Sequence, residues 1–226
     1  SKGKIIFNGQ TVDFKNVASA HALGIRMVYQ ELFLMKDLTI AQNIFIGREI
    51  KRGLFIDDSA MNEKCQELFN EYNIDLQPDA LVKELSVAQM QMVEILKNIS
   101  QEVSVLVLDE PTTALSSKEV EDLFEMLKRL KDKGVCIIYI SHKMDEVLKI
   151  SDKISVLRDG VLVDTVNKEE TTREDIIRMM IGRDVTWQVK QKNEVNDDAP
   201  IVLNVKNIQS EKLKDIAFDL KEGEID

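Results

Sequence analysis

Cysteine, proline and aromatic residues are scarce in this 226-residue sequence, which has two Cys, three Pro and 5% aromatic residues. Two cysteines cannot build a disulfide framework or a four-ligand zinc site, and their scarcity favours a reducing, cytoplasmic setting. No uninterrupted apolar run reaches the roughly 18 residues that a membrane-spanning helix requires. We therefore expect neither a disulfide-stabilised scaffold nor a transmembrane helix in this sequence.

Basic residues are not in excess either: the sequence has 30 Lys and Arg but 40 Asp and Glu, which gives a formal net charge of −10. Nucleic-acid binding depends on clustered positive charge that neutralises phosphates, so we expect no nucleic-acid partner. Apolar residues make up 44% of the sequence. A chain of this length can bury roughly 70% of its unfolded surface, which is enough for one or two domains.

The first hundred residues combine a short β region with a long helical one. Asn8-Gly9 between the apolar runs Lys4–Phe7 and Thr11–Phe14 predicts a hairpin, and Ile25–Tyr29 predicts a strand. Residues 36–100 show helical periodicity and no strong strand signal. Within them, Thr39 with Gln42 and Ser86 with Gln89 have the spacing of helix capping boxes.

Strands and helices alternate after residue 100. Two apolar runs, 105–108 and 135–140, are typical of buried parallel strands, and the segment between them has helical periodicity after a capping box at Ser116. Asp159-Gly160 predicts a second hairpin. This order predicts an α/β domain with a helical insertion and an antiparallel appendage.

Loss of periodicity divides the sequence into two parts. Residues 183–200 are polar and lack a regular pattern, which is typical of a linker. We therefore predict a first domain over 1–182 with a helical subdomain at about 36–100. Residues 201–226 predict two strands that begin a second domain.

Polar side chains follow each predicted parallel strand. Asp109 and Glu110 end one strand, His142 follows the next, and Gln30 follows the strand near the start of the sequence. Ligands of open α/β sheets bind at the carboxyl ends of strands, where one carboxylate can hold Mg²⁺ and another can polarise water. We expect neighbouring strands to bring His142 close to Glu110. Taken alone, each residue is more often an ordinary solvated strand end.

A helix tip gives the fourth signal. Leu85-Ser86-Val87-Ala88-Gln89 opens a helix, and the free N–H groups of a helix N-terminus favour an anion. By itself, this pattern is more often a simple capping box. The four signals are informative because they occur together and in a fixed order.

That order resembles the ATP-binding cassette ATPases. In this resemblance Gln30 matches the Q-loop, Leu85–Gln89 the signature motif, Val105–Glu110 the Walker B strand, Thr113–Ser116 the D-loop and His142 the switch histidine. The stretches Met27–Leu32, Ala41–Glu49, Leu85–Ile95 and Ile140–Glu146 are similar to the branch of bacterial sugar importers with tandem cassettes. Nearly the whole sequence takes part in the likeness.

The resemblance implies a function for each matching residue. ATP and Mg²⁺ would be the cofactors, with Glu110 as general base, Asp109 and Gln30 at the metal, and His142 at the γ-phosphate. The residues that would contact ATP held by the opposite cassette are Ser86, Val87, Ala88 and Gln89.

Partners and location are also implied by the resemblance. The partners would be transmembrane permease subunits, an extracytoplasmic sugar-binding protein reached through the permease, and a second cassette. The protein would be peripheral, on the cytoplasmic face of the bacterial inner membrane. The implied fold is a nucleotide-binding α/β core, truncated at its N-terminal side.

The phosphate-binding loop of the family is missing. None of the nine glycines lies in a G-x-x-x-x-G-K-[ST] pattern, whose amides and lysine cradle phosphates. We therefore expect the sequence to be a fragment that starts after one such loop and stops before another. Val87 and Ala88 also stand where the commonest signature motif has glycines, and Ser116 replaces the usual aspartate.

Two alternatives stay open from the residues. One is a cassette ATPase that acts on nucleic acid or ribosomes; Gln30 and Ser86 lie 56 positions apart, and the residues between them contain no heptad repeat of the kind such proteins carry. The other is a catalytically inactive cassette-like binding module. The presence of a phosphate-binding loop in the complete protein separates the second alternative from an ATPase.

We predict that this chain alone neither binds ATP tightly nor hydrolyses it. Charge-assisted hydrogen bonds contribute roughly 1.5–3 kcal/mol each, so the loss of several lowers affinity by many powers of ten. Titration calorimetry with ATP and Mg²⁺ tests this expectation. Micromolar binding by the isolated chain would contradict it.

Overall fold

The structure, a computed structural model, describes residues 3–182, 199–210 and 214–224. The chain divides into two compact units, made of residues 1–155 with 165–173 and of residues 156–164 with 174–226. In the described part of the chain, no helix is both long and apolar enough to cross a bilayer.

Apart from one short hairpin within residues 36–100, the helices and strands follow in the order that the sequence predicts. Up to residue 100 they are β1 (Ile5–Phe7), β2 (Gln10–Val12), α1 (Val17–His21), β3 (Ile25–Val28), α2 (Ile40–Phe45), β4 (Lys51–Arg52), β5 (Phe55–Ile56), α3 (Asp58–Tyr72), a 3₁₀ turn (Val82–Glu84) and α4 (Val87–Ile99). After residue 100 they are β6 (Val105–Asp109), α5 (Ser117–Asp132), β7 (Cys136–Ile140), α6 (Met144–Ile150), β8 (Lys153–Arg158), β9 (Val161–Asn167), a 3₁₀ turn (Lys168–Glu170), α7 (Arg173–Ile181), β10 (Ile201–Ile208) and β11 (Ile216–Lys221).

A three-stranded parallel sheet in the order β3-β6-β7 organises the first unit. Val28 lies opposite Leu108, and Asp109 lies opposite Ile140. The predicted pairing of parallel strands is therefore confirmed. Because the three strands run in one direction, their carboxyl ends lie at the same edge of the sheet.

A glycine allows β3 and β6 to start close together. Gly24 has a φ of +73°, and a Cβ there would lie 3.0 Å from the Ser104 hydroxyl oxygen. The Gly24 carbonyl accepts hydrogen bonds from the amides of Ser104 (2.8 Å) and Val105 (3.2 Å). The absence of a side chain thus permits both the left-handed conformation and the backbone contact.

The helical region packs α2, α3 and α4 around fully buried side chains, among them Ile40, Ile44, Phe69, Val93 and Leu96. Both predicted capping boxes, at Thr39 and at Ser86, are present. The buried residues of α3 are Met61, Cys65, Phe69 and Tyr72, and Leu68 is partly buried against the same core.

The prediction that residues 36–100 contain no strand is wrong in one place. β4 and β5 pair as a short antiparallel hairpin, with Lys51 opposite Ile56. Gly53, with a φ of +65°, lies in the two-residue turn between them. Strands of two residues are too short to show alternation, so the only sequence signal was this glycine.

β7 was predicted to be a buried strand, and this is wrong for one of its faces. Ile138 and Ile140 are 51% and 44% exposed, and Cys136 is exposed as well. Tyr139 and Ile137, on the other face, pack partly against the core. A continuous apolar run is typical of a strand covered on both sides, whereas β7 is covered on one.

The two hairpins predicted from Asn8-Gly9 and Asp159-Gly160 are confirmed. Asn8 and Gly9 between β1 and β2, and Asp159 and Gly160 between β8 and β9, all have positive φ values from 48° to 77°. Left-handed conformations at both turn positions match the twist of the flanking strands, which explains the Asn-Gly and Asp-Gly pairs.

The described C-terminal residues form an antiparallel pair. β10 and β11 run antiparallel, with Val205 opposite Phe218, in agreement with the two strands predicted there. The predicted linker at 183–200 falls almost wholly on residues outside the described ranges. The division into 1–182, a linker and 201–226 therefore stays a prediction.

We predict that the two thiols differ in reactivity. Cys65 is fully buried, and burial raises its pKa to about 12, whereas Cys136 is exposed. A maleimide at pH 8 should modify Cys136 at least about 100-fold faster than Cys65, because only the thiolate reacts. Peptide mass spectrometry over time measures both rates. Cys136→Ser should remove the fast reaction and Cys65→Ser should not; equal rates in the native protein would contradict the burial of Cys65.

Candidate functional site

The carboxyl edge of the parallel sheet gathers most of the predicted site residues. Asp109 is the last residue of β6 and Glu110 follows it. His142 comes two residues after β7 ends, and Gln30 comes two residues after β3 ends. The register of the three strands therefore places these residues at one edge.

Glu110 and His142 are in direct contact. The His142 Nδ1 atom lies 2.7 Å from Oε1 of Glu110, and these side chains are 66% and 27% exposed. The expected proximity of the two residues is confirmed, since β6 and β7 are neighbours. The hydrogen bond engages one carboxylate oxygen and one ring nitrogen. Each side chain keeps a second atom that can contact water or phosphate.

The backbone of Glu110 is held in an unusual conformation. Its φ is +45°, a left-handed value that costs a residue with a Cβ roughly 1–2 kcal/mol. Its amide donates to the carbonyl of Ile140 (2.9 Å), and its own carbonyl accepts from the Thr113 hydroxyl (3.0 Å). These contacts on both sides of the residue maintain the strained turn.

A group of polar side chains next to this pair was not identified from the sequence. The hydroxyls of Thr112 and Tyr139 both donate to Oε2 of Glu146, at 2.6 and 2.7 Å. Lys143 donates to the Thr112 carbonyl (2.9 Å) and lies 3.1 Å from Oε1 of Glu146. The available signal was the i, i+3 pair of Lys143 and Glu146 directly after His142.

The donor set at this edge is suitable for Mg²⁺. Among the described residues, no three His, Cys, Asp or Glu side chains are grouped closely enough to hold a metal ion. Magnesium needs no such group, because it keeps several waters and takes one or two protein oxygens together with substrate phosphates. The Asp109 carboxylate and the Gln30 amide are oxygen groups of this kind.

The segment after Gln30 is attached to the helical region. The Lys97 side chain, on α4, donates to the Phe33 carbonyl (2.8 Å). Asn43, on α2, accepts from the Met35 amide (2.7 Å) and donates to the Met35 carbonyl (3.0 Å). The segment that follows Gln30 is therefore bonded to both α2 and α4.

The tip of α4 is a closed capping box. The Ser86 hydroxyl accepts from the Gln89 amide (3.2 Å), and the Gln89 side chain accepts from the Ser86 amide (2.9 Å). Val87 is half-exposed and Ala88 is buried. An anion at this tip would thus depend on the amides of Val87 and Ala88 and on the Ser86 hydroxyl.

The segment matched to the D-loop also ends in a helix cap. Ser116 caps α5, and Glu119 accepts hydrogen bonds from both the amide and the hydroxyl of Ser116, at 2.8 and 2.7 Å. The hydrogen bonds from Ser116 lower the pKa of the Glu119 carboxyl. Ser116 therefore serves a local structural purpose, whatever else it contacts.

The fold and the site together define a class. A parallel sheet with a carboxylate pair, a histidine and a glutamine at its carboxyl edge, and a helical region inserted after its first strand, is the arrangement of ATP-binding cassettes. Residues 1–113 match the ABC transporter family. The chain belongs to this family.

Curated relatives are similar over almost the whole chain. The galactose/methyl galactoside import ATP-binding protein MglA of Haemophilus influenzae is 42% identical across 99% of this chain. A putative ribose/galactose/methyl galactoside import ATP-binding protein of Hahella chejuensis is 43% identical across 99%. The chain spans 44% of the length of each of these relatives.

Solved structures support the fold. A nucleotide-free ATP-binding cassette from an ABC transporter matches with a TM-score of 0.66 and 22% identity, over 81% of this chain and 74% of that chain. An ATP-binding cassette of an ABC transporter in its ADP conformation matches with a TM-score of 0.67 and 24% identity, over 80% and 78%. The predicted α/β cassette fold is thereby confirmed.

We predict that Lys97 stabilises the segment after Gln30. In Lys97→Met the stem is kept, but the donor to Phe33 and the ion pair with Glu94 are both lost. Amide hydrogen exchange of residues 30–35 should therefore become about tenfold faster, because a hydrogen bond from a charged group is worth about 1.5–3 kcal/mol. Mass spectrometry measures the exchange. Lys83→Met removes an exposed ion pair with Asp37 and is the control; equal exchange in both variants would show that Lys97 does not hold the segment.

Proposed function

We propose that this chain forms part of an ATP-hydrolysing subunit that drives carbohydrate import across a bacterial membrane. The observation that carries the proposal is the contact between Glu110 and His142 at the carboxyl end of an apolar strand. In a family that hydrolyses ATP, a carboxylate in this place is suited to activate the attacking water.

Glu110 is the proposed general base. One oxygen of its carboxylate contacts His142, and the other can accept a proton from a water molecule. The left-handed turn at Glu110 directs the chain away from the strand directly after Asp109. The two consecutive carboxylates can thus act on different groups: Asp109 would bind the metal ion, and Glu110 would accept a proton from the attacking water.

His142 is proposed to orient Glu110 and to contact the γ-phosphate. Its Nδ1 atom faces the carboxylate, and Nε2 is the ring nitrogen that can donate to a phosphate oxygen. When bound, Mg²⁺ offsets the negative charge on the transferred phosphate, and Asp109 and Gln30 would hold the ion. The tip of α4, residues 86–89, would contact ATP held by an opposite cassette.

Carbohydrate import is proposed because the relatives named for galactose and ribose import are similar across 99% of the chain. The partners would be permease subunits in the membrane and, through them, an extracytoplasmic sugar-binding protein. The subunit would be peripheral, at the cytoplasmic face. Closure of two cassettes would move the helical region, and the attachment of Phe33 to Lys97 would couple that motion to Gln30.

The alternative of a cassette that acts on nucleic acid or ribosomes has less support. Between Gln30 and Ser86 the structure places two helices, α2 with 6 residues and α3 with 15, packed with α4 around one core. A long coiled coil is not formed in this region. The net charge of −10 also disfavours a phosphate-backbone partner.

We predict that Glu110→Gln in the complete protein lowers the ATP turnover number about 10²–10⁴-fold, the contribution of a general base, while ATP binding persists. Steady-state phosphate release and nucleotide binding measure the two effects. Glu125→Gln, an exposed position on α5, is the matched control. A turnover number in Glu110→Gln equal to that of the control would remove Glu110 from the proposed mechanism.

A further inference from the structure

We propose that Glu146 is a positioning residue that holds the Glu110 and His142 loops in register through Thr112 and Tyr139. The carboxylate lies on α6, one turn after the loop that carries His142. It binds a residue two positions after Glu110 and a residue three positions before His142. This inference rests on the proposed function of Glu110 and His142.

The hydrogen bonds around Glu146 form a complete set. Oε2 accepts from the hydroxyls of Thr112 (2.6 Å) and Tyr139 (2.7 Å), and Oε1 lies 3.1 Å from the Lys143 ammonium. Lys143 also donates to the carbonyl (2.9 Å) and the hydroxyl (3.3 Å) of Thr112. Both hydroxyl protons and the three ammonium protons thus have acceptors within this group.

Burial makes this group sensitive to change. Thr112 is 1% exposed and the Glu146 side chain is 13% exposed. Burial acts to raise the pKa of the Glu146 carboxyl, but the hydrogen bonds from Thr112 and Tyr139 and the charge of Lys143 outweigh it and lower that pKa. The group therefore contains a largely buried carboxylate, and removal of its charge leaves the buried Thr112 hydroxyl and the partly buried Tyr139 hydroxyl without a strong acceptor.

The contacts link two loops that are far apart in the sequence. The amide of Glu110 donates to Ile140, next to Tyr139, so one link lies at the sheet edge. The second link runs from Thr112 through Glu146 to α6. His142 lies between these two attachments, and its ring reaches Glu110. The two links, one at the sheet edge and one through Glu146, thus together restrain the distance between the Glu110 and His142 side chains.

Glu110 and His142 need this external support. Both side chains are at least partly exposed. Packing around them therefore restrains them less than it restrains a core residue. A displacement of about 1 Å at a reacting group can lower a rate about 100-fold. The buried group restrains the backbone on which both side chains are carried.

The test compares variants of the complete protein in steady-state ATP hydrolysis. Glu146→Gln keeps the shape and removes the charge, Thr112→Val removes the hydroxyl, and Thr112→Ser restores it. Glu121→Gln removes an exposed carboxylate that pairs with Lys149 and is the matched control. We expect Glu146→Gln and Thr112→Val each to lower kcat about tenfold with KM for ATP changed less than about twofold.

Two further results are expected from the same series. The double variant Glu146→Gln/Thr112→Val should lose no more than either single variant, because both remove the same link. Thr112→Ser should stay within about twofold of the unmodified protein. Additive losses in the double variant, or a kcat of Glu146→Gln equal to that of Glu121→Gln, would overturn the proposal.

A spectroscopic readout separates this proposal from the proposed function. The His142 ring signal in a proton–carbon NMR spectrum is assigned by its loss in His142→Ala. It should shift in Glu146→Gln and Thr112→Val, while the His21 signal stays unchanged. An unshifted His142 signal would overturn positioning by Glu146. Failure of Glu110→Gln to lower turnover would instead overturn the proposed function. The His142 signal would then still test whether Glu146 positions the loop that carries His142.

The proposal remains testable if the Glu146→Gln variant misfolds. If Glu146→Gln does not accumulate as folded protein, Thr112→Val and Tyr139→Phe are judged by the same kcat and NMR criteria. Each removes a single hydroxyl and leaves the Glu146 carboxylate with Lys143. Unchanged kcat and an unshifted His142 signal in both would overturn the proposal.

Discussion

The parallel register of β3, β6 and β7 is the constraint on which the site depends. Because the three strands run in the same direction, residues that follow them meet at one edge, although they are separated by up to 112 positions in the sequence. Gly24 sets the opposite edge by allowing the starts of β3 and β6 to approach. The contact between Glu110 and His142 follows from this register and from the turn at Glu110.

The helical region adds a second constraint that acts on the first. Its helices share one core, and both α2 and α4 are bonded to the segment after Gln30. Under the proposed function, a shift of these helices would act on Gln30 through the contacts at Phe33 and Met35. These contacts connect the helical region to the segment that follows the proposed metal ligand Gln30.

The Glu146 carboxylate, whose side chain is 13% exposed, is surrounded by partners. Two hydroxyls, of Thr112 and Tyr139, and the Lys143 ammonium contact this carboxylate. An unpaired carboxylate at this depth would carry a large desolvation free energy, so Thr112, Tyr139 and Lys143 must stay in place around Glu146. The same unit joins the loops that carry Glu110 and His142, which couples local stability to the geometry of the proposed chemistry.

Local signals determined much of this protein from its sequence. Capping boxes and Asn-Gly or Asp-Gly turns act between residues a few positions apart, so Ser86, Thr39 and Asn8 were interpreted correctly without any tertiary information. The apolar runs identified β6 and β7, and the order of their polar ends predicted the contact of Glu110 with His142. The exposed face of β7 and the Thr112–Glu146 link were decided by the tertiary structure alone. Burial and long-range hydrogen bonds depend on which segments become neighbours, and no local pattern records that.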